Sequence, residues 1–423
     1  MAERIVVGKQ SPCDATERLQ RAVLICKTST IVALVRCLRA LGKSVLISAY
    51  THSAVDNVLI KLLQHPDISG DSILRLGSRH QIKSECAHLT LSAKLENVPQ
   101  PAMYDSIANI YSTVPVVAAT CLQAANHLLF GSRRFDYVII DEATLSLQSA
   151  CLGPLLVADR FVLVGDPKQL RPIVQCRTAR QEGMGDTLFE QLEERNESAV
   201  VCLRHQYRMN SEIARLSSEL FYNGELQCAS DSIASSTLTF AGTKSPPADS
   251  PLWIRAALKT VLESSVLFVD TRSTDADRLD YRASNDGPGL TCNRGEAAAV
   301  LRLCDALIQA GVKASDVGVI CIYRHQTNVI RKALCSTDIE VNTADQYQGR
   351  DKAVIIVSLV WTAPIDDENK KSDLLIDERR VNVALTRAKQ KLILLGCRHS
   401  VVRHKVIADL LNIMRPDQLC TLE

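Results

Sequence analysis

The sequence predicts an α/β protein of two domains, each built on a largely parallel sheet, and three observations predict it. Short apolar runs alternate with segments of helical period. The runs fall into two series separated by a polar stretch. Acids, amides and arginines stand at or near the ends of several runs. Parallel strands need a crossover between them, usually a helix, so this alternation is what βαβ units write into a chain. A length of 423 residues holds two such domains of about 200 residues each.

Taken in order, the segment after Thr28 sets Ile31, Leu34, Val35 and Leu38 at i, i+3, i+4 and i+7, one face of a helix. Gly42 ends it, and residues 44–48 read as the next strand. Further strands are expected at 114–119, 137–140 and 161–164, with about 80–113 as a small insertion. The second series is 266–269, 317–322, 353–359 and 391–395. Between the series, a Ser-, Ala-, Thr- and Pro-rich stretch at about 229–250 reads as a loop. Another polar stretch, 271–293, reads as a surface loop. The expected domains are 1–262 and 263–423. No short repeat is evident.

Composition narrows the function classes. Hydrophobic residues make up 46% and charged residues 23%, as in a soluble globular protein. The net charge of +2 supplies no global field for a polyanion, so a nucleic-acid site has to be a local groove. Aromatics at 4% leave few base-stacking platforms. The 15 cysteines include no pair spaced by two residues and mostly sit in apolar runs. They read as small hydrophobes in a reducing compartment, not as a zinc or iron–sulfur framework. No signal peptide is expected after Met1-Ala2-Glu3-Arg4, and the apolar stretch from Ala22 to Leu41 carries Lys27, Arg36 and Arg39, against a membrane span.

The chemistry sits at the strand ends. Asp141-Glu142 follow an apolar run; one carboxylate there can hold Mg²⁺ and its neighbour can polarise a water. Gly165-Asp166-Pro167-Lys168-Gln169-Leu170 follow the next run, where Gln169 can sense a terminal phosphate; an inert Gly-Asp-Pro turn is the plainer alternative. Arg208 and Arg387 match the planar, spreading charge of a transferring phosphoryl group. Arg387 is expected on an amphipathic segment whose apolar face is Val381, Ala384, Leu385 and Ala388. In Gln348-Gly349-Arg350-Asp351, Gly349 would let the backbone approach a ligand.

In this order the segments from Ser48 to Asn57, Asp141 to Thr144, Gly165 to Leu170, Gln206 to Asn210, Val341 to Asp351 and Val381 to Lys389 resemble the successive motifs of superfamily-1 helicases, in the branch that moves 5′→3′. Within that branch the chain from about Gln20 onward looks like the helicase half of the eukaryotic replication helicase/nucleases that process Okazaki flaps. The resemblance implies two tandem RecA-like domains with ATP and Mg²⁺ in the cleft between them. It assigns Asp141 and Thr28 to Mg²⁺, Glu142 to water activation, and Gln169, Arg208 and Arg387 to the γ-phosphate. Lys27, Thr28, Gln20, Gly349 and Asp351 would bind the nucleotide, and Thr51, His52, Asn57, Thr120 and Thr343 would touch single-stranded DNA. It also implies a nuclear, possible mitochondrial, setting and a single-strand-binding protein as partner. The family's nuclease domain and iron–sulfur cluster are not expected in this chain.

One departure bears on activity. A phosphate loop reads G-x-x-x-x-G-K-[ST] and cradles phosphate with backbone amides. Here Lys27-Thr28 open the helix, but the glycine positions fall on Arg21 and Cys26, and Ala22-Val23-Leu24-Ile25 between them reads as a strand. Gln20, which resembles an adenine-reading glutamine, lies too close to Lys27 for that role. Either a piece of loop is missing or the site has decayed. Three readings follow: an ATP-dependent 5′→3′ DNA helicase of replication and repair, a non-hydrolysing relative that binds single-stranded nucleic acid, and an RNA-directed helicase of the same superfamily.

Overall fold

The computed structural model describes residues 3–9, 27–127, 129–240, 250–271, 292–360 and 377–422. Gln20, Arg21, Cys26 and the strand expected at 22–25 lie outside them, as do 241–249 of the expected loop and most of 271–293. The chain packs as two compact units, Ala2–Arg204 and His205–Glu423.

The first unit is a seven-stranded sheet flanked by helices. Its strands are β1 (Glu3–Lys9), β2 (Val45–Ala49), β3 (Ile73–Arg75), β4 (Val116–Thr120), β5 (Phe135–Asp141), β6 (Ala158–Gly165) and β7 (Val200–Leu203), in the order β3-β4-β2-β5-β6-β1-β7. The five strands from β3 to β6 in that order pair parallel, whereas β1 runs antiparallel to both β6 and β7. Alternate residues divide the core between the two faces: Val45, Ile47, Val116, Ala118, Ile139 and Val162 on one, Leu46, Val117, Val138, Ile140 and Leu163 on the other. Each fully buried Val, Leu or Ile among them contributes roughly 1.5–3 kcal/mol.

Helix α1 (Lys27–Ala40) buries Ile31, Val32, Val35 and Leu38 against that sheet. It closes as the sequence predicts: Gly42 takes φ +71°, and the Lys43 and Gly42 amides donate to the carbonyls of Leu38 (2.9 Å) and Arg39 (2.9 Å). Thr51 caps α2 (His52–Leu62). The segment expected as an insertion is the crossover from β3 to β4: short helical turns at Arg79–Gln81, Ser84–Leu89 and Leu91–Lys94, then a helix at Gln100–Thr113. Strand β3 escapes the sequence reading because it is three residues long.

The second unit carries a short pair, β8 (His205–Gln206) with β9 (Gln227–Cys228), and a six-stranded sheet of β10 (Val266–Asp270), β11 (Val317–Cys321), β12 (Glu340–Thr343), β13 (Lys352–Ser358), β14 (Ala388–Gly396) and β15 (Leu419–Thr421). The order is β12-β11-β13-β14-β10-β15, parallel throughout. Val319, Ile356, Ile393 and Val269 build its core with Val300, Leu303 and Leu307 of helix Arg294–Gln309. Tandem RecA-like α/β units are the architecture.

The packing divides at 204/205, not at the expected 262/263. Residues 205–262 are tied to the second sheet by buried polar bonds that no apolar pattern announces. The Asn210 amide nitrogen donates to Ser265 Oγ (2.8 Å) and to the Gln390 carbonyl (3.1 Å), and Ser217 Oγ donates to Asn382 Oδ1 (3.0 Å). The buried Lys391 donates to the carbonyls of Lys259 (3.0 Å) and Ser264 (2.5 Å); burial pushes its ammonium down to about 7. Leu238, inside the expected loop, is also core.

Gly318 in β11 lies directly beneath the ring of Tyr347. A methyl group there would overlap the Tyr347 hydroxyl and meet Tyr347 Cζ and Ile355 Cδ1 at 2.9 Å. Gly318→Ala is therefore expected to destabilise the second unit by about 1–3 kcal/mol. Urea unfolding checks this; an unchanged midpoint and slope would refute it.

Candidate nucleotide and nucleic-acid sites

Parallel strands bring their carboxyl ends to one edge. In the register of the first sheet, Ala49 stands opposite Thr120 on β4 and opposite Asp141 on β5. The residues that follow, Thr51 and His52 after β2, Glu142 after β5 and Asp166 to Gln169 after β6, therefore line the edge where open parallel sheets bind ligands.

At the centre of this edge, Lys27 opens α1 and Glu142 follows β5. Lys27 Nζ lies 3.4 Å from Glu142 Oε2, with Lys27 only 5% exposed. Glu142 adopts a left-handed conformation, φ 51° and ψ 41°, which is costly for a residue with a side chain and turns the chain sharply after the strand. That turn lets the Glu142 amide donate to Asp141 Oδ1 at 2.9 Å. Thr144 then packs onto Gly165, where a methyl group would come within 2.8 Å of Thr144 Cγ2. Asp166, fully buried, accepts from Gln169 Nε2 (2.7 Å) and from the Lys168 amide (3.0 Å). The Gln169 amide nitrogen is thus held by Asp166. Thr28 is half-buried in the first turn of α1.

The donor set fits a hydrated Mg²⁺: a hydroxyl at a helix start and a carboxylate at a strand end. The cradle for a triphosphate fits less well. A phosphate loop joins the carboxyl end of a parallel strand directly to a helix amino terminus. Here the slot beside β6 is filled by β1 in the opposite direction, with Lys9 facing Arg160 at the start of β6 and Arg4 facing Gly165 at its end. Strand β1 accordingly presents its amino end, not its carboxyl end, at the edge that carries Asp141.

Farther along the edge, Thr51 accepts from the Ala54 amide (3.3 Å), and Asn57 Oδ1 accepts from Lys83 Nζ (2.7 Å). His52 is half-buried beside Arg75. Burial holds its imidazole below the usual histidine range, Arg75 adds to that, and Asp56 opposes it. Thr120 is 4% exposed and caps helix Cys121–Asn126 in a reciprocal box with Gln123. Its hydroxyl is engaged there. Arg75 and Asp56, both buried, form an ion pair of 2.7 Å that sequence reading missed, because β3 itself was not visible.

In the second unit, Arg208 Nε donates to Asp351 Oδ2 at 3.0 Å, and its Nη1 donates to the Thr386 carbonyl at 3.1 Å. Lys389 adds a second cation to Asp351 at 2.7 Å. Burial alone would raise the Asp351 carboxyl, but Arg208 and Lys389 outweigh it and hold it below the usual range. Arg387 corrects the sequence expectation. The helix Glu378–Leu385 ends before it, and Arg387 is 1% exposed in the turn into β14. Its Nε donates to the Val383 carbonyl (2.9 Å) and its Nη2 to Thr386 Oγ1 (2.8 Å). Gly349 is a glycine for its φ of +78° with open space around it. Half-buried Thr343 starts the turn Ala344–Tyr347 without spending its hydroxyl on a cap.

Among the described residues, no cluster of three or more His, Cys, Asp or Glu is placed to hold a metal ion, and no helix is long and apolar enough to cross a membrane.

An AAA domain model matches residues 184–399, and a second AAA domain model matches 23–109 and 102–177. The DNA replication ATP-dependent helicase/nuclease DNA2 of Xenopus laevis is 41% identical over 94% of this chain and 37% of its own length. The Homo sapiens protein of that name is 38% identical over 93% and 36%, and that of Saccharomyces cerevisiae 33% identical over 92% and 25%. The chain thus spans roughly a third of the length of the first two relatives and a quarter of the third. Among solved structures, arterivirus nonstructural protein 10 (helicase) aligns over 90% of this chain and 60% of its own at 13% identity, with a TM-score of 0.45, too low to bear on function. With an AAA domain model over half its length and this identity across nearly all of it, the chain belongs to the superfamily-1 helicases related to DNA2.

Proposed function

We propose that the chain is the motor portion of a DNA helicase of replication and repair, one that grips single-stranded DNA, with slow ATP turnover. The observation that supports it most is the meeting of Lys27, Asp141 and Glu142 at the carboxyl-end edge of the first sheet. In this reading Thr28 and Asp141 hold Mg²⁺, which supplies charge neutralisation to a triphosphate. Lys27 exchanges Glu142 for a phosphate oxygen. Glu142 Oε2, released, becomes the acceptor for a water proton. Gln169, Arg208 and Arg387 belong to the terminal phosphate by resemblance, Gly349 and Asp351 to nucleotide binding, and Thr51, His52, Asn57 and Thr343 to the strand. Movement is 5′→3′, in the nucleus, with a single-strand-binding protein as a partner.

Slow turnover has two supports. Arg21 and Cys26 replace the glycines of the phosphate loop, and β1 fills the neighbouring slot in the direction that cannot feed such a loop. Without the amide nest about 3 kcal/mol of phosphate stabilisation is absent, on the order of 100-fold in rate. Steady-state ATP hydrolysis with and without a single-stranded DNA oligonucleotide tests this. The expected result is DNA binding with hydrolysis about 100-fold slower than that of the matched portion of the Xenopus laevis relative. DNA-stimulated hydrolysis within tenfold of that relative would overturn it. An RNA strand that competes better than DNA at equal salt would move the assignment to RNA.

Asp351 anchors Arg208 whatever the turnover. Its carboxyl is depressed in the folded chain, so the pair stabilises above the unfolded value of about 3.9 and is lost as pH falls through the folded value. Asp351→Asn is expected to cost about 1 kcal/mol at pH 7, a discounted figure because the carboxylate is partly exposed. Denaturant melts from pH 7 to pH 3 should show the gap between variant and parent closing at the acid end; a gap independent of pH would refute it.

A further inference from the structure

Arg75 ends β3 and is among the largest side chains with no exposure. Its guanidinium is divided among three neighbours. Nε donates to Asp56 Oδ1 at 2.7 Å, Nη1 to the Leu76 carbonyl at 2.5 Å, and Nη2 faces His52 Nδ1 at 3.2 Å. The other Asp56 oxygen accepts from the Lys83 amide at 2.9 Å, so the carboxylate that holds Arg75 is itself fixed.

A guanidinium has donors only and keeps its charge at any pH a protein survives. The nitrogen it faces has to accept. His52 Nδ1 is therefore the lone-pair nitrogen, and the neutral ring carries its proton on Nε2. A protonated ring would set N–H against N–H. The charged groups facing the ring are Arg75 from β3 and Asp56 from its own helix; the Gln123 amide nitrogen and His52 Cε1 both border the space above Gly77.

We propose that Arg75 is a positioning residue that fixes His52 as a neutral donor through Nε2–H, directed to a phosphate oxygen or base edge of single-stranded DNA. The donor's target rests on the nucleic-acid reading above; the tautomer does not. A histidine in the first turn of a helix is otherwise free to ionise or flip, and either would change what it offers a DNA strand. Arg75, unreachable by solvent, removes both freedoms.

Nitrogen NMR of the chain carrying ¹⁵N-histidine tests the tautomer, with His52 identified as the resonance lost in His52→Gln. At pH 7 an unprotonated Nδ1 and a protonated Nε2 are expected. A proton on Nδ1, or a charged ring, overturns the proposal. Fluorescence anisotropy with a single-stranded DNA oligonucleotide tests the donor. His52→Gln, which keeps an outward N–H, should bind within about threefold of the parent. His52→Asn, which keeps an acceptor for Arg75 but loses the outward donor, should bind about fivefold or more weakly with an unchanged melting temperature. Arg75→Lys keeps a cation for Asp56 but cannot span both partners, so a mixed tautomer is expected in the folded variant. Equal binding by His52→Asn and the parent overturns the donor role. Absence of DNA binding by the parent instead removes the proposed function and the donor's target, while the resonance still judges Arg75.

Discussion

The shared direction of β2, β4, β5 and β6 is the constraint on which the first unit depends. One register puts Ala49 level with Thr120 and Asp141, and every residue that follows those ends inherits its place from it. Because side chains alternate faces while strand ends do not, the core residues and the chemical residues are specified independently: a change of Ile47 or Val117 alters packing, a change after Ala49 alters the edge. Strand β1 shows the same constraint by exception. It satisfies the hydrogen bonds of β6 and β7 as well as a parallel strand would, yet it delivers the wrong end to the edge. Sheet completion and ligand binding are separable demands, and β1 meets the first.

Polar burial does in this protein what apolar pattern cannot. Asn210 and Lys391 are buried, and each bonds to backbone carbonyls of segments far away in sequence. An amide or ammonium left unpaired in that position would cost several times what the bond contributes, so the partner segment is held in one place. These clasps act with Leu238, Trp253, Ile254, Ala257 and Leu258, which join the second core, to hold residues 205–262 to the second sheet, although their hydrophobic rhythm alone does not assign them to it.

Legibility in the sequence followed the same line. The strand at 317–322 was readable because an all-buried parallel strand appears as an unbroken apolar run, and α1 was readable because a one-sided helix writes its period. Three-residue β3 and edge strand β15 carry too few residues for either signal. The candidate site residues stand out in the sequence as an ordered series of motifs near strand ends. Their present partners were not readable. In sequence Arg387 looks like part of an amphipathic helix, but the helix stops at Leu385 and its guanidinium turns inward to the Val383 carbonyl. Helix ends fall where capping and packing end them, and a period alone does not show that point.

The ion pairs at the candidate sites differ in kind, and the difference separates scaffold from chemistry. Asp56 and Arg75 are wholly buried at 2.7 Å; breaking that pair leaves a charge without water, a loss of about 3–5 kcal/mol. Lys27 and Glu142 stand at 3.4 Å with the glutamate side chain 20% exposed, and Arg208 and Asp351 at 3.0 Å with both side chains about a quarter to a third exposed. A pair whose members both reach water, such as Arg208 and Asp351, is worth about 1 kcal/mol or less; with Lys27 only 5% exposed, the Lys27 pair lies between the two kinds. A phosphate bearing two negative charges offers a cation more than one carboxylate does at the same distance. In the proposed nucleotide reading, a phosphate would compete with Glu142 for Lys27 and with Asp351 for Arg208, while Arg75 stays with Asp56.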